Sequence, residues 1–126
     1  MGRAFVDTSC LVAIALGERG GAAVAARLQR FQELFASNLL EAELRATVTR
    51  ERVVLDPDVL TWLDWVLPDR PLTREISLVL TTGYLRGADA WHLACALHMT
   101  QHPAEITFLT LDRRQRAVAR GLGFRT

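Results

Sequence analysis

The sequence predicts an α/β fold of three layers, a central parallel sheet with helices on both faces, and three observations carry that prediction. Strand-like runs alternate with stretches of helical period along the whole chain. Half of the 126 residues are apolar, enough for one core that buries roughly two-thirds of the surface the unfolded chain exposes. No linker, internal repeat or low-complexity segment interrupts the pattern, so residues 1–126 read as a single domain. In such a fold the functional crevice is expected outside the carboxyl ends of the strands.

The first strand is Arg3 to Val6, short and rich in strand formers, and Asp7 stands at its carboxyl end. A helical pattern follows from Ser9 to Leu16. Gly17-Glu18-Arg19-Gly20-Gly21 is a turn, and Ala22 to Gln32 reads as a second helix from its alanines and the periodic Val24, Leu28 and Phe31. Leu34-Phe35-Ala36 is a short strand, and Ser37-Asn38 opens a helix running to about Arg50. Asp56-Pro57-Asp58 opens the next helix, which Pro68 to Pro71 ends. Its core face would be Val59, Leu60, Leu63 and Val66, leaving Trp62 and Trp65 as an apolar flank suited to contact with another chain. Thr73 to Thr81 and Ala88 to Met99 are two further helices, separated by Gly83 and Gly87. Ile106 to Leu111 is the last strand, and Arg113 to Arg120 is the closing helix before Gly121.

All fifteen basic residues are arginine, so chemistry that needs a lysine nucleophile, a Schiff base or a phosphate-clamping lysine is excluded. The formal charge of +1 means that a polyanion would be held by a local patch rather than by the whole surface. Cys10 and Cys95 lie in apolar surroundings at no metal-ligand spacing and read as buried free thiols of a reducing compartment. The N-terminus is too brief for a signal peptide and no apolar run approaches membrane-spanning length, so a soluble cytoplasmic protein without membrane contact is expected.

Four carboxylates stand where a strand hands over to a helix or on the inward side of a helix's opening turns: Asp7, Glu43, Asp89 and Asp112. Glu43 shares the inward stripe of its helix with Leu40, Leu44, Thr47 and Val48, whereas Glu41 is turned about 200° away and can pair with Arg45. An inward glutamate needs a partner, either an arginine or a shared cation. Asp89 precedes the inward positions Ala90, Leu93, Ala94 and Leu97, where it could be a helix cap, and Asp7 and Asp112 could cap as well. Capping does not explain why the last two lie at the carboxyl ends of parallel strands. Several carboxylates in one pocket repel one another unless a cation neutralises them, and a hard ion such as Mg²⁺ or Mn²⁺ suits oxygen donors better than zinc does.

Four segments resemble the signatures of the PIN-domain ribonucleases: Phe5-Val6-Asp7-Thr8-Ser9, Ser37-Asn38-Leu39-Leu40-Glu41-Ala42-Glu43-Leu44, Ala88-Asp89-Ala90-Trp91-His92-Leu93-Ala94 and Leu109-Thr110-Leu111-Asp112-Arg113-Arg114. Their order, their spacing and the length of the chain are most similar to the VapC toxins of bacterial toxin–antitoxin pairs. The resemblance implies a PIN-like fold in which Asp7, Glu43, Asp89 and Asp112 form a Mg²⁺ or Mn²⁺ pocket and hydrolyse RNA phosphodiesters endonucleolytically. It also implies a homodimer and a cognate VapB-like antitoxin whose C-terminal segment blocks the pocket. Thr8, Ser9 and Thr110 stand beside the acids and could orient a ligand, or make local cap and turn bonds. Arg113 and Arg114 could hold RNA phosphates at the rim of an acidic pocket, or be solvated. His92 lies one residue round from the inward face and reads as structural, and His98 and His102 have no partners at ligand spacing.

Rival folds fail on single residues. A phospho-receiver domain uses a lysine that this chain lacks, a haloacid-dehalogenase-like phosphatase wants a second aspartate where Ser9 stands, and a P-loop wants Gly-Lys-Ser/Thr. The alternative from another class is a catalytically silent PIN-like module that binds RNA or a protein.

Overall fold

Successive residues of the first strand point into two different cores. Phe5 packs on one face of the sheet while Ala4 and Val6 pack on the other, all three fully buried. In the computed structural model, which describes residues 2–126, this strand, β1 (Arg3–Val6), lies inside a sheet with β2 (Glu33–Ser37), β3 (Leu63–Val66) and β4 (Ile106–Leu109). Their order is β3-β2-β1-β4 and every pairing is parallel.

Among the described residues six α-helices cover the sheet: α1 (Thr8–Ala15), α2 (Gly21–Leu28), α3 (Leu40–Arg50), α4 (Thr73–Thr82), α5 (Gly87–Met99) and α6 (Arg113–Gly121). On one face Phe5, Ile106 and Phe108 meet α4, α5 and α6 through Val79, Leu93 and Val118. The rings of Phe5 and Phe108 stack there with centroids 5.6 Å apart. On the other face Val6, Leu34, Ala36 and Leu109 meet Leu11, Leu28, Leu40 and Leu44 of α1, α2 and α3. The fold is thus α/β in three layers. Each fully buried leucine or phenylalanine stabilises it by about 1.5–3 kcal/mol relative to exposure.

The turn between α1 and α2 depends on glycine. Gly20 adopts φ +85°, and a Cβ at Gly21 would stand 2.6 Å from the Ala13 carbonyl oxygen, so the two helices meet backbone to backbone.

The segment 57–66 differs from the sequence expectation of a helix. Pro57–Trp62 is a 3₁₀ turn opened by Asp56, whose side chain accepts from Asp58 N at 3.0 Å, and Leu63–Val66 is the edge strand β3, paired to β2 from Leu34↔Leu63 to Ser37↔Val66. The apolar spacing that suggested a helix face is met by Val59 on the turn and by Leu63 and Val66 on the strand, all buried. Trp65 is half-buried against the second core rather than free on a helix flank, whereas Trp62 is exposed. Elsewhere the boundaries move by a few residues. Ser37 ends β2 instead of opening α3, and α2 stops at Leu28. Among the described residues no helix is long and apolar enough to cross a membrane.

Candidate functional site

The order β3-β2-β1-β4 means that the chain leaves β1 in one direction for β2 and β3 and returns on the other side for β4. Crevices in open parallel sheets form at such a reversal, outside the carboxyl ends of the two strands concerned. Here those ends are in register, Val6 opposite Leu109, and Asp7 N continues the ladder by donating to Leu109 O at 2.9 Å. Asp7 and the Thr110-Leu111-Asp112 turn therefore leave the sheet side by side.

Asp7 is buried and caps α1, its Oδ2 accepting from Ser9 N at 3.0 Å. Asp112 is exposed and caps α6, its Oδ1 accepting from Gln115 N at 2.8 Å. Both capping roles anticipated from the sequence are thus real, and both place a carboxylate at the crevice. Asp89 is different. The helix begins at Gly87 after Arg86, so Asp89 lies within the first turn and caps nothing. Among the described residues its carboxylate accepts no hydrogen bond, and, the residue being half-buried, its oxygens are open to solvent. Burial raises its pKa above the ordinary aspartate value, and the charges of Asp7 and Asp112, with a smaller contribution from Glu43, raise it further against the opposing pull of His92. The four acids converge in one electrostatic neighbourhood.

Glu43 reaches that neighbourhood from α3. Its Oε1 accepts from Thr8 Oγ1 at 2.7 Å and lies 2.6 Å from His92 Nε2. Burial alone would raise the Glu43 pKa, but the His92 and Thr8 hydrogen bonds and the His92 charge outweigh it, and the carboxyl is held below its usual value. The protein partners of Glu43 are thus a histidine and a threonine, not the arginine that the sequence also allowed. Glu41, as expected, pairs with Arg45 at 2.7 Å.

Two residues without a role in the sequence reading bind the acids together. His92 is 1% exposed, with Nδ1 2.8 Å from Ser37 Oγ and Nε2 3.8 Å from Asp7 Oδ1. Its position three residues after Asp89, on the same helix face, was the available signal. Gln115 is fully buried. Its Nε2 donates to Asp7 Oδ1 at 3.1 Å and to the Asp89 carbonyl at 3.3 Å, and its Oε1 accepts from Thr110 Oγ1 at 2.6 Å. The pattern Asp112-x-x-Gln115 resembles a capping box, but the glutamine side chain reaches across to Asp7 instead of back to the cap.

The remaining candidates divide. Thr8 serves Glu43, Ser9 Oγ accepts from Leu111 N at 3.1 Å, and Thr110 Oγ1 accepts from Asp112 N at 3.1 Å, so all three hydroxyls shape the acids and their turns. Arg114 lines a groove of about 300 Å³ with Leu85, Arg86, Asp89 and Asp112. Arg113 is exposed and does not line it. Arg86, unremarked in the sequence, brings a second cation to the acids. Arg116 turns away, its guanidinium donating to the Thr110 carbonyl at 2.8 Å, and Arg120 bonds Thr126 Oγ1. Burial pushes both thiols up to about 12, with the Asp7 charge adding to the effect at Cys10, so neither is a nucleophile at neutral pH.

Among the described residues no three acidic, histidine or cysteine side chains already stand together as a finished metal shell. The donor chemistry nonetheless fits a hard divalent ion. Both oxygens of Asp89, Oε2 of Glu43 and Oδ2 of Asp112 carry no hydrogen bond among the described residues, and they belong to three of four acids that repel one another.

Comparison with known proteins adds the family. The family described as PIN domain matches residues 4–121, nearly the whole chain. No curated protein matches the sequence.

Proposed function

The chain belongs to the PIN-domain family, whose members are typically Mg²⁺- or Mn²⁺-dependent nucleases, and from that premise we propose that it is an endoribonuclease whose catalytic acids are Asp7, Glu43, Asp89 and Asp112. One observation carries the reading furthest. Asp89 stands at the strand-order reversal with no hydrogen-bond partner among the described residues, under repulsion from the other three acids. A charge left so exposed to its own sign calls for a cation.

The four carboxylates would hold Mg²⁺ or Mn²⁺, which when bound supplies an acidified water and stabilises charge on the phosphoryl and leaving oxygens. Gln115 aims Asp7 through its 3.1 Å hydrogen bond, and His92 with Thr8 holds Oε1 of Glu43 and leaves Oε2 available to take a proton or a ligand. Arg86 and Arg114 offer guanidinium groups at the groove rim, where an acidic pocket would otherwise repel the phosphates of RNA. Arg113 can meet the strand as it leaves that rim.

Within this reading residues 1–126 form one PIN-like domain acting in the cytoplasm as a VapC-like toxin, paired with itself and with a VapB-like antitoxin. The resemblance of the four motifs supports the toxin assignment. Exposed Leu78, Leu80 and Tyr84 on and after α4, with Trp62 beside β3, support partner-covered surface.

Incubating the antitoxin-free protein with cellular RNA and Mn²⁺, beside an EDTA lane and an Asp7→Ala variant, tests the proposal. New 5′-phosphate ends that require both metal and Asp7 are expected. RNA binding without cleavage in any metal would replace it with the silent binding module.

A further inference from the structure

At the opposite end of the sheet from the acids lies a cavity of about 400 Å³ into which Arg3, Arg27, Arg30 and Arg125 converge, with Phe31 at its wall. Among the described residues Glu105 is the one acidic side chain that lines it, and it meets Arg3 at 3.9 Å between two partly exposed side chains. Four guanidinium groups facing one carboxylate is a marked excess in a protein whose formal charge is +1.

A helix dipole explains part of this. Arg27 is in the last turn of α2, and Arg30 follows closely, where cations offset the partial negative charge of the helix end. It does not explain Arg3 from the start of β1 or Arg125, whose backbone is fixed to β4 by hydrogen bonds to Ile106 O and from Phe108 N at 3.1 and 2.8 Å. Three separate elements bring their arginines to one place.

Arg27 also lines a second, smaller cavity, with Arg116, Thr110 and Leu111 at the acid end of β4. The two cavities share that arginine, and Thr107 of β4 in one and Thr110 just past the end of β4 in the other are three residues apart, about 10 Å along extended chain. We infer that an RNA strand engaged at the acids continues over the β4 edge through Arg116 and Arg27 to an anchoring site formed by Arg3, Arg30 and Arg125. This inference rests on the nuclease reading of the acid site. An extended polyanion suits a row of cations on one edge, and the half-buried Phe31 adds an aromatic face on which a base can stack. An acidic peptide would use the charges but not the ring.

The test is fluorescence anisotropy in EDTA, which reads binding without cleavage, using single-stranded RNAs of four and twelve nucleotides. The wild type should bind the longer RNA at least tenfold more tightly. The variant carrying Arg27→Ala and Arg125→Ala should lose that advantage, and its salt slope should fall by about 1.4, the value for two lost phosphate contacts on a single strand. Arg74→Ala, removing an exposed charge elsewhere, should change neither. Metal-dependent cleavage of the four-nucleotide RNA by the double variant should persist. An unchanged length dependence in the double variant, or its loss only in Arg86→Ala with Arg114→Ala, overturns the track and leaves the nuclease standing. Cleavage absent with length-dependent binding intact removes the nuclease and leaves the anchoring site. Equal competition by a polyglutamate of matching charge overturns the assignment to RNA.

Discussion

Gln115 Nε2 stands 3.1 Å from Asp7 Oδ1, so the closing helix holds the first acid of the chain across a sequence separation of 108. The same side chain accepts from Thr110 and donates to the Asp89 carbonyl, and it is fully buried. Replacing it with leucine roughly keeps the volume but leaves Asp7 Oδ1 without its donor and Thr110 Oγ1 with the longer 3.4 Å contact to Asp7 Oδ2 in place of its 2.6 Å bond. Gln115→Leu should destabilise the protein by about 1–3 kcal/mol, read from the urea midpoint. A midpoint unchanged from wild type would show that the network is dispensable.

Glu43 gives a pH-dependent counterpart. Its carboxyl is held below the ordinary value once His92 and Thr8 have outweighed burial, so it contributes stability that is present above the unfolded glutamate pKa and lost as pH falls through the lower folded one. Glu43→Gln should cost on the order of 1 kcal/mol at pH 7 and less at pH 3. Equal losses at the two pH values would contradict the depressed carboxyl.

Asp89 has the opposite sign. Burial, then Asp7 and Asp112, make its charge unfavourable in the folded state, so stability is lost as pH rises from the ordinary aspartate range toward the raised value. Without metal, Asp89→Asn should therefore melt higher than wild type at pH 7 and alike at pH 3. The gain should stay within about 1 kcal/mol, because a half-exposed carboxylate is screened by solvent. A lower melting temperature at pH 7 would mean that Asp89 is not under repulsion.

With pKa values pushed up to about 12 by burial, Cys10 and Cys95 should resist iodoacetamide at pH 8 in the native state and react fully in guanidinium. Mass spectrometry counts the adducts. Rapid native labelling of either residue would show that its core opens readily.

Much of this arrangement is legible in the sequence because it is local. Asp7 and Asp112 follow strands whose apolar runs are short and unambiguous, and the inward face of α3 singles out Glu43 from Glu41. The strand β3 was not legible, since Val59, Leu63 and Val66 fit a helical period as well as they fit a turn followed by an edge strand, and the pairing with β2 that decides between them is tertiary. The contacts of His92 and Gln115 span 49 and 108 residues and depend on how α5 and α6 pack over the sheet. Arg86 became visible only when the groove it lines brought it beside Asp89 and Asp112.

Titration of Mn²⁺ into the wild-type protein and into Asp89→Asn, followed by calorimetry, tests the central claim that the four acids make one metal pocket. Saturable binding that weakens at least tenfold in the variant is the predicted result. Binding of equal strength in both proteins, or none in the wild type, would contradict it.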